Sequence, residues 1–156
     1  LSIIFPSLVI LYICRVMQKT HFHNIPAPSL SLPDLNLWIE SLCAYYKVAI
    51  DQFAVNFIGK EKMLEMNQKY LNHDTHTDIL TFDYGNQHFI NAELFVSEYM
   101  CSINAVENKQ SIDDECLRLI SHGFLHTIGF SDKNLEDKIL MTEQEDFCLQ
   151  MFHVKQ

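Results

Sequence analysis

Apolar and polar positions along the chain change period several times, and each change marks a predicted element. Over residues 17–23 they alternate, which predicts a strand, and Ile25-Pro26-Ala27-Pro28 turns the chain out of it. Pro33-Asp34 opens a helix in which Leu35, Trp38, Ile39, Leu42 and Tyr46 recur at helical spacing. Alternation returns over 52–58, with Phe53, Val55 and Phe57 on one face, and predicts a second strand. Residues 60–71 read as a second helix, its inward positions being Met63, Leu64, Asn67 and Tyr70 or Leu71.

Residues 72–77 form a polar loop carrying His73, Asp74 and His76, and the β-prone stretch 78–83 is a third strand. Tyr84-Gly85-Asn86 is turn material, so 88–96 is expected as a fourth strand paired to the third as a hairpin. Ser97 is placed to cap a third helix running to about residue 106. Ser111-Ile112-Asp113-Asp114 resembles a capping box and starts a fourth helix. On that helix Ile112, Cys116, Leu119, Ile120 and Phe124 make a broad apolar stripe. Asn134 is placed to cap a last helix with apolar positions Ile139, Leu140, Phe147 and Met151.

The apolar run at 1–14 is too short to span a bilayer, and no charge precedes it as in a signal peptide. Residues 1–16 are therefore expected to be an N-terminal extension, with a single domain over 17–156 and no membrane association; a membrane anchor is the alternative. A chain of 156 residues, 48% apolar and 20% charged, has the size and make-up of one globular domain with its own core. Its net charge of −9 counts against a general nucleic-acid binder and confines any RNA contact to a local patch. The five cysteines are odd in number and scattered, with no C-x-x-C pair, and imply reduced thiols rather than a disulfide framework or thiolate zinc site.

The candidate chemistry lies in Ser121-His122-Gly123-Phe124-Leu125-His126-Thr127-Ile128-Gly129-Phe130-Ser131-Asp132. His122 and His126 stand one helical turn apart on one face, at the border of the apolar stripe, where a side chain is half-buried. Gly129 can take positive φ, end the helix and let the chain bring Asp132 back to the same point. Two imidazoles and a carboxylate with a fourth position left open make a catalytic zinc site, one Zn2+ per chain. Zinc peptidases with H-E-x-x-H place a general base after the first histidine; here that position is Gly123, which disfavours amide hydrolysis.

His122-Gly123-Phe124-Leu125-His126-Thr127-Ile128-Gly129-Phe130 resembles the H-G-x-L-H-x-x-G-Y motif of the YbeY endoribonucleases, the rRNA maturation factors. Asn67-Gln68-Lys69-Tyr70 and Asp74-Thr75-His76-Thr77-Asp78-Ile79-Leu80-Thr81-Phe82 resemble a second block of that family, and Glu115 matches a further family position. The resemblance implies an α+β fold, a small mixed four-stranded sheet packed with about five helices and a zincin-like metal helix. The strands and helices read above agree with it. It also implies a zinc-dependent, single-strand-specific endoribonuclease of the cytoplasm, acting in 3′-end maturation of small-subunit rRNA and in ribosome quality control. The implied partners are that rRNA and the ribosome or a small-subunit ribosomal protein. His122, His126 and Asp132 would be the metal ligands; Thr77, Asp78 and Glu115 would line the cleft or support it, although a solvated helix-face charge is the plainer reading of Glu115.

Three positions depart from the family pattern. Asp132 stands where the family has a third histidine, which would leave the metal a weaker Lewis acid. Leu71 replaces an arginine and removes a phosphate-binding charge. His76 replaces a proline; His76, Lys60 or Lys69 would then meet RNA, against the plainer reading of His76 as a solvated loop residue. The departures keep open a second function, a zinc-stabilised ribosome-assembly factor with little catalytic activity.

Overall fold

The computed structural model describes residues 19–72, 74–86 and 88–154; the expected N-terminal extension, 1–16, lies outside them. The elements run β1 (Thr20–His23), α1 (Leu32–Tyr46), β2 (Ala49–Ile58), α2 (Lys60–Leu71), β3 (Ile79–Asp83), β4 (Phe89–Ser97), α3 (Glu98–Glu107), α4 (Ile112–Thr127) and α5 (Leu135–Val154). This is the α+β arrangement of four strands and five helices that the resemblance implies. The sheet order is β1-β2-β4-β3, with β1, β2 and β4 parallel and β3 antiparallel to β4.

Local chemistry sets these boundaries. Asn86 and Phe89 exchange backbone hydrogen bonds of 2.9 and 3.1 Å, closing the tight turn that folds β4 back along β3. Ser31, Ser97 and Ser111 each accept the N–H three residues on, at 3.2, 3.2 and 3.0 Å, and so begin α1, α3 and α4. Asn134 does the same for α5, accepting from the Asp137 N–H at 2.9 Å.

Alternation along β4 separates two apolar clusters. Ile90, Ala92, Leu94 and Val96 join the main core with α1, α4, α5 and the buried side chains of β2, including Phe53, Val55 and Phe57. Phe95 points to the other face, where α2 lays Met63 and Met66 over Leu80. Helices α1 and α5 are tied directly: the Trp38 indole N–H donates to the Cys148 carbonyl at 2.8 Å, and its ring meets Phe152 edge-on. Cys43, Cys101, Cys116 and Cys148 are all free and buried, as expected of reduced thiols.

The structure corrects three expectations. Strand β2 starts at Ala49 rather than 52, because a register shift between Ile50 and Gln52 hides its first residues from the alternation pattern. On α2 the inner stripe is Met63, Met66 and Asn67, while Tyr70 and Leu71 are exposed. On α5 Ile139 and Leu140 are exposed, and Met141, Glu145, Cys148, Leu149 and Phe152 face inward. That helix carries apolar residues on both sides, so packing against α1 and α4 decides its orientation where the pattern does not. Phe147 and Met151 keep partial contact, Phe147 with its ring 4.6 Å from Tyr45.

Helix α4 sits directly on the sheet at Gly123. A Cβ added there would lie 2.3 Å from Leu94 Cδ2, 2.9 Å from Leu94 Cγ and 3.0 Å from Ile79 Cδ1. Glycine inside a helix costs about 1 kcal/mol relative to alanine, so its place here follows from the close approach. Gly123→Ala is therefore expected to lower stability by about 1–3 kcal/mol through overpacking, in spite of the propensity gain. Urea denaturation of the two proteins measures this, and an equally stable variant would refute the close-packing argument.

Candidate metal centre

Helix α4 presents Arg118, His122 and His126 at successive turns of one face. Its end is a Schellman motif. The Gly129 N–H bonds to the His126 carbonyl at 3.1 Å and the Phe130 N–H to the Leu125 carbonyl at 3.0 Å, with Gly129 at φ 103° as its glycine identity permits. The reversal returns the chain over the last turn of α4, and Asp132 then stands beside both histidines. One ligating atom from each of His122, His126 and Asp132 lies within 4.8 Å of the others.

The hydrogen bonds around the rings define what they can do. His122 Nδ1–H donates to Glu145 Oε1 at 2.8 Å, and His126 Nδ1–H donates to the Phe130 carbonyl at 3.0 Å. A carboxylate and a carbonyl only accept, so in the neutral rings both Nε2 atoms carry lone pairs. Those atoms face each other at 2.9 Å, and Asp132 Oδ2 stands 3.7 Å from one and 3.8 Å from the other. Three electron-rich atoms this close repel unless a metal ion lies among them or a proton on one ring makes the contact between the Nε2 atoms a hydrogen bond. Ligands around a tetrahedral divalent metal are about 3.3 Å apart, a spacing these distances bracket. The donor set and its orientation thus fit a metal, and the half-buried rings leave one side open to solvent.

Glu145 escaped the sequence reading. It comes from the inner face of α5, is nearly buried, and joins His122 to Arg118, whose Nη1 donates to Glu145 Oε2 at 3.1 Å. Arg118 also donates from Nη2 to Asp146 Oδ1 at 2.8 Å. The signal available was an acid set among Met141, Cys148 and Leu149 at helical spacing. Burial alone would lower the His122 pKa, but the hydrogen bond and charge of Glu145, with the charges of Asp132 and Asp78, outweigh it and raise the group above its ordinary 6.5.

The other predicted residues stand farther back. Thr77 Oγ1 accepts from Asn67 Nδ2 at 2.8 Å, and the same amide nitrogen donates to the Thr75 carbonyl at 2.6 Å, so buried Asn67 clamps the 75–77 loop. Asp78 accepts from Asn104 at 3.4 Å, and its backbone carbonyl takes the Ser97 N–H at 2.8 Å; toward His122 it acts through its charge. Glu115 is not a solvated helix charge. It is 2% exposed and accepts from Gln110 Nε2, because residues 104–110 fold over the first turn of α4. Burial raises its pKa, and hydrogen bonds from Asn104 and Gln110 partly offset that rise. His76 is an exposed loop residue, as the plainer reading has it; its ring meets that of Tyr99 at 5.4 Å, and Lys60 Nζ lies 4.2 Å from the centre of the Tyr99 ring.

The family described as Endoribonuclease YbeY matches residues 29–153. The chain belongs to the YbeY endoribonuclease family. It is 35% identical over 128 residues to the endoribonuclease YbeY of Bacteroides thetaiotaomicron, an overlap of 82% of this chain and 93% of that protein. With the endoribonuclease YbeY of Flavobacterium johnsoniae it shares 41% identity over 100 residues, 64% of this chain and 72% of the other. Its fold is similar to the solution structure of a Thermotoga maritima protein, with TM-score 0.59 and 23% identity over 88% of this chain and 91% of that one. Among the described residues no helix is long and apolar enough to cross a membrane. The YbeY motif of α4 is thus the stretch that carries the two facing imidazoles, and Asp132 occupies the third corner.

A metal at this centre must displace the His122 proton. Because the folded pKa is raised, protonation of His122 stabilises the metal-free protein fully below 6.5, and that contribution is lost as pH rises through the folded value. Metal affinity runs the other way, since it needs the neutral ring. Thermal melts with chelator and with added zinc, taken across this window, are expected to show a zinc-induced rise in Tm that grows with pH. A rise that stays constant would exclude His122 as a ligand.

Proposed function

We propose that this chain is a zinc-dependent endoribonuclease of the cytoplasm that cuts single-stranded RNA. Its substrate is the 3′ region of small-subunit rRNA, met on the ribosome or beside a small-subunit ribosomal protein. The observation that carries the reading is the convergence of His122, His126 and Asp132 at the YbeY motif of a chain in that family. Family membership supports the RNA substrate, and the buried free cysteines suit a reducing compartment.

Two nitrogens and a carboxylate oxygen are borderline to hard donors and favour zinc among common ions. When bound, zinc supplies positive charge that polarises a phosphoryl oxygen and makes water a better nucleophile at neutral pH. The protein's own share is orientation. His122 and His126 are held by their Nδ1 hydrogen bonds with Nε2 turned to the centre, and Asp132 closes the third side. Gly123 offers no side chain to act as a base, so a proton from the attacking water passes to solvent or to Asp132, the most exposed of the three.

Metal-loaded protein is expected to cut single-stranded RNA, and His126→Ala to lose at least about 100-fold of that activity. Equal cleavage by both preparations would identify a contaminating nuclease, and zinc uptake with no cleavage by either would favour the assembly-factor reading. Leu71 is exposed at the end of α2, so it tolerates a longer side chain. Leu71→Arg is expected to raise kcat/KM by about three- to tenfold at low salt, with the gain shrinking as salt rises. A variant indistinguishable from the parent would show that this position does not meet RNA.

A further inference from the structure

A carboxylate on the inner face of a helix costs stability unless each of its oxygens finds a donor. Glu145 divides its two: Oε2 takes Arg118 Nη1 at 3.1 Å, and Oε1 takes His122 Nδ1 at 2.8 Å. Arg118 is itself anchored by a second arm on Asp146 at 2.8 Å, so the guanidinium holds the carboxylate from one side and leaves the other oxygen aimed at the ring. This is a charge network with a buried carboxylate in a seam of Met141, Cys148 and Leu149, a half-buried guanidinium and an outer acid at the surface. Such networks add little stability over an apolar replacement of the same volume. Stability alone does not account for it.

Orientation does. The ring of His126 has its tautomer set by a backbone carbonyl, that of Phe130, which the Schellman motif delivers. Helix α4 continues past His122, so no backbone acceptor is offered to that ring: its own turn has spent its carbonyls on helical bonds. A side chain from a second helix has to supply the acceptor. We infer that Glu145, held by Arg118, is a positioning residue for the metal centre, fixing His122 as the Nδ1–H tautomer and turning its Nε2 lone pair toward His126 and Asp132. This rests on the reading of the triad as a metal site.

Without Glu145 the His122 ring is free to rotate and to place its proton on Nε2, which points an N–H at the centre and blocks a ligand. Glutamine at 145 still offers an acceptor oxygen, whereas alanine offers none. Arg118→Met keeps Glu145 but releases its anchor.

Zinc affinity measured by chelator competition tests the inference on the full chain. Glu145→Ala is expected to bind one zinc about 10- to 100-fold more weakly than the parent, with most of the loss recovered in Glu145→Gln and a smaller loss in Arg118→Met. A Glu145→Ala protein that folds and binds zinc with parental affinity overturns the inference; a role confined to the fold would lower the Tm of the metal-free protein and leave affinity unchanged. A second measurement needs no variant. Nitrogen NMR of the chelated parent, at a pH above the His122 transition, is expected to show its Nδ1 protonated and Nε2 bare; the opposite tautomer overturns the inference. A parent that takes up no zinc refutes the metal reading instead, and the nitrogen spectrum then decides on Glu145 alone.

Discussion

The contact on which this molecule depends is the seating of α4 against β3 and β4 at Gly123, where no side chain fits between helix and sheet. It fixes the helix in rotation as well as in distance. At about 100° per residue, turning position 123 into Leu94 leaves 122 and 126 on the flank of the helix, between core and solvent. That flank faces the α5 side of the helix, which is where Glu145 meets His122. A small rotation of α4 would either turn the imidazoles toward the sheet side chains Leu94 and Ile79 or swing them away from Glu145. The glycine therefore sets where the helix holds the two rings, and their Nδ1 hydrogen bonds set which way the rings turn.

Charge explains why the site wants a cation. Asp132, Glu145 and Asp78 all act on His122, in a chain whose net charge is −9. An RNA phosphate approaching that cluster meets repulsion, and among the described residues the one guanidinium, on Arg118, is already engaged by Glu145 and Asp146. A divalent ion among the two Nε2 atoms and Asp132 would offset much of that negative charge and give a phosphate a direct electrostatic partner. Tyr99, with Lys60 and His76 on its ring, offers a separate small cationic and aromatic surface beyond the triad.

How much of this was legible in the sequence follows from how far each feature depends on distant residues. The triad was legible because its parts lie within one helix and the turn after it: helical spacing aligns the histidines, and Gly129 reverses the chain. The elements were legible wherever period or capping was clean, as at Ser97 and Ser111. What escaped depends on contacts between distant segments. The start of β2 is masked by a register shift, and α5 carries two apolar faces between which only its neighbours choose. Glu145 went unseen for the same reason, since its meaning appears only once α5 is rotated onto α4. Glu115 resembles a solvated first-turn acid until residues 104–110 close over it.

The three groups that could hold a metal are not held alike. Both histidines sit on a buried helix and have their rings fixed by hydrogen bonds, one through the backbone of the Schellman turn and one through Glu145. Asp132 lies past that turn in a more exposed segment, and its distances of 3.7 and 3.8 Å are longer than the 2.9 Å between the rings. Reaching the roughly 3.3 Å of a tetrahedral site would part the two Nε2 atoms by about 0.4 Å, a slight tilt of the rings, and draw Asp132 in by about half an ångström. The exposed carboxylate is the cheapest part to move, because it breaks no buried contact. Two nitrogens held by hydrogen bonds and one more adjustable oxygen would keep a metal ion in place while its third ligand yields.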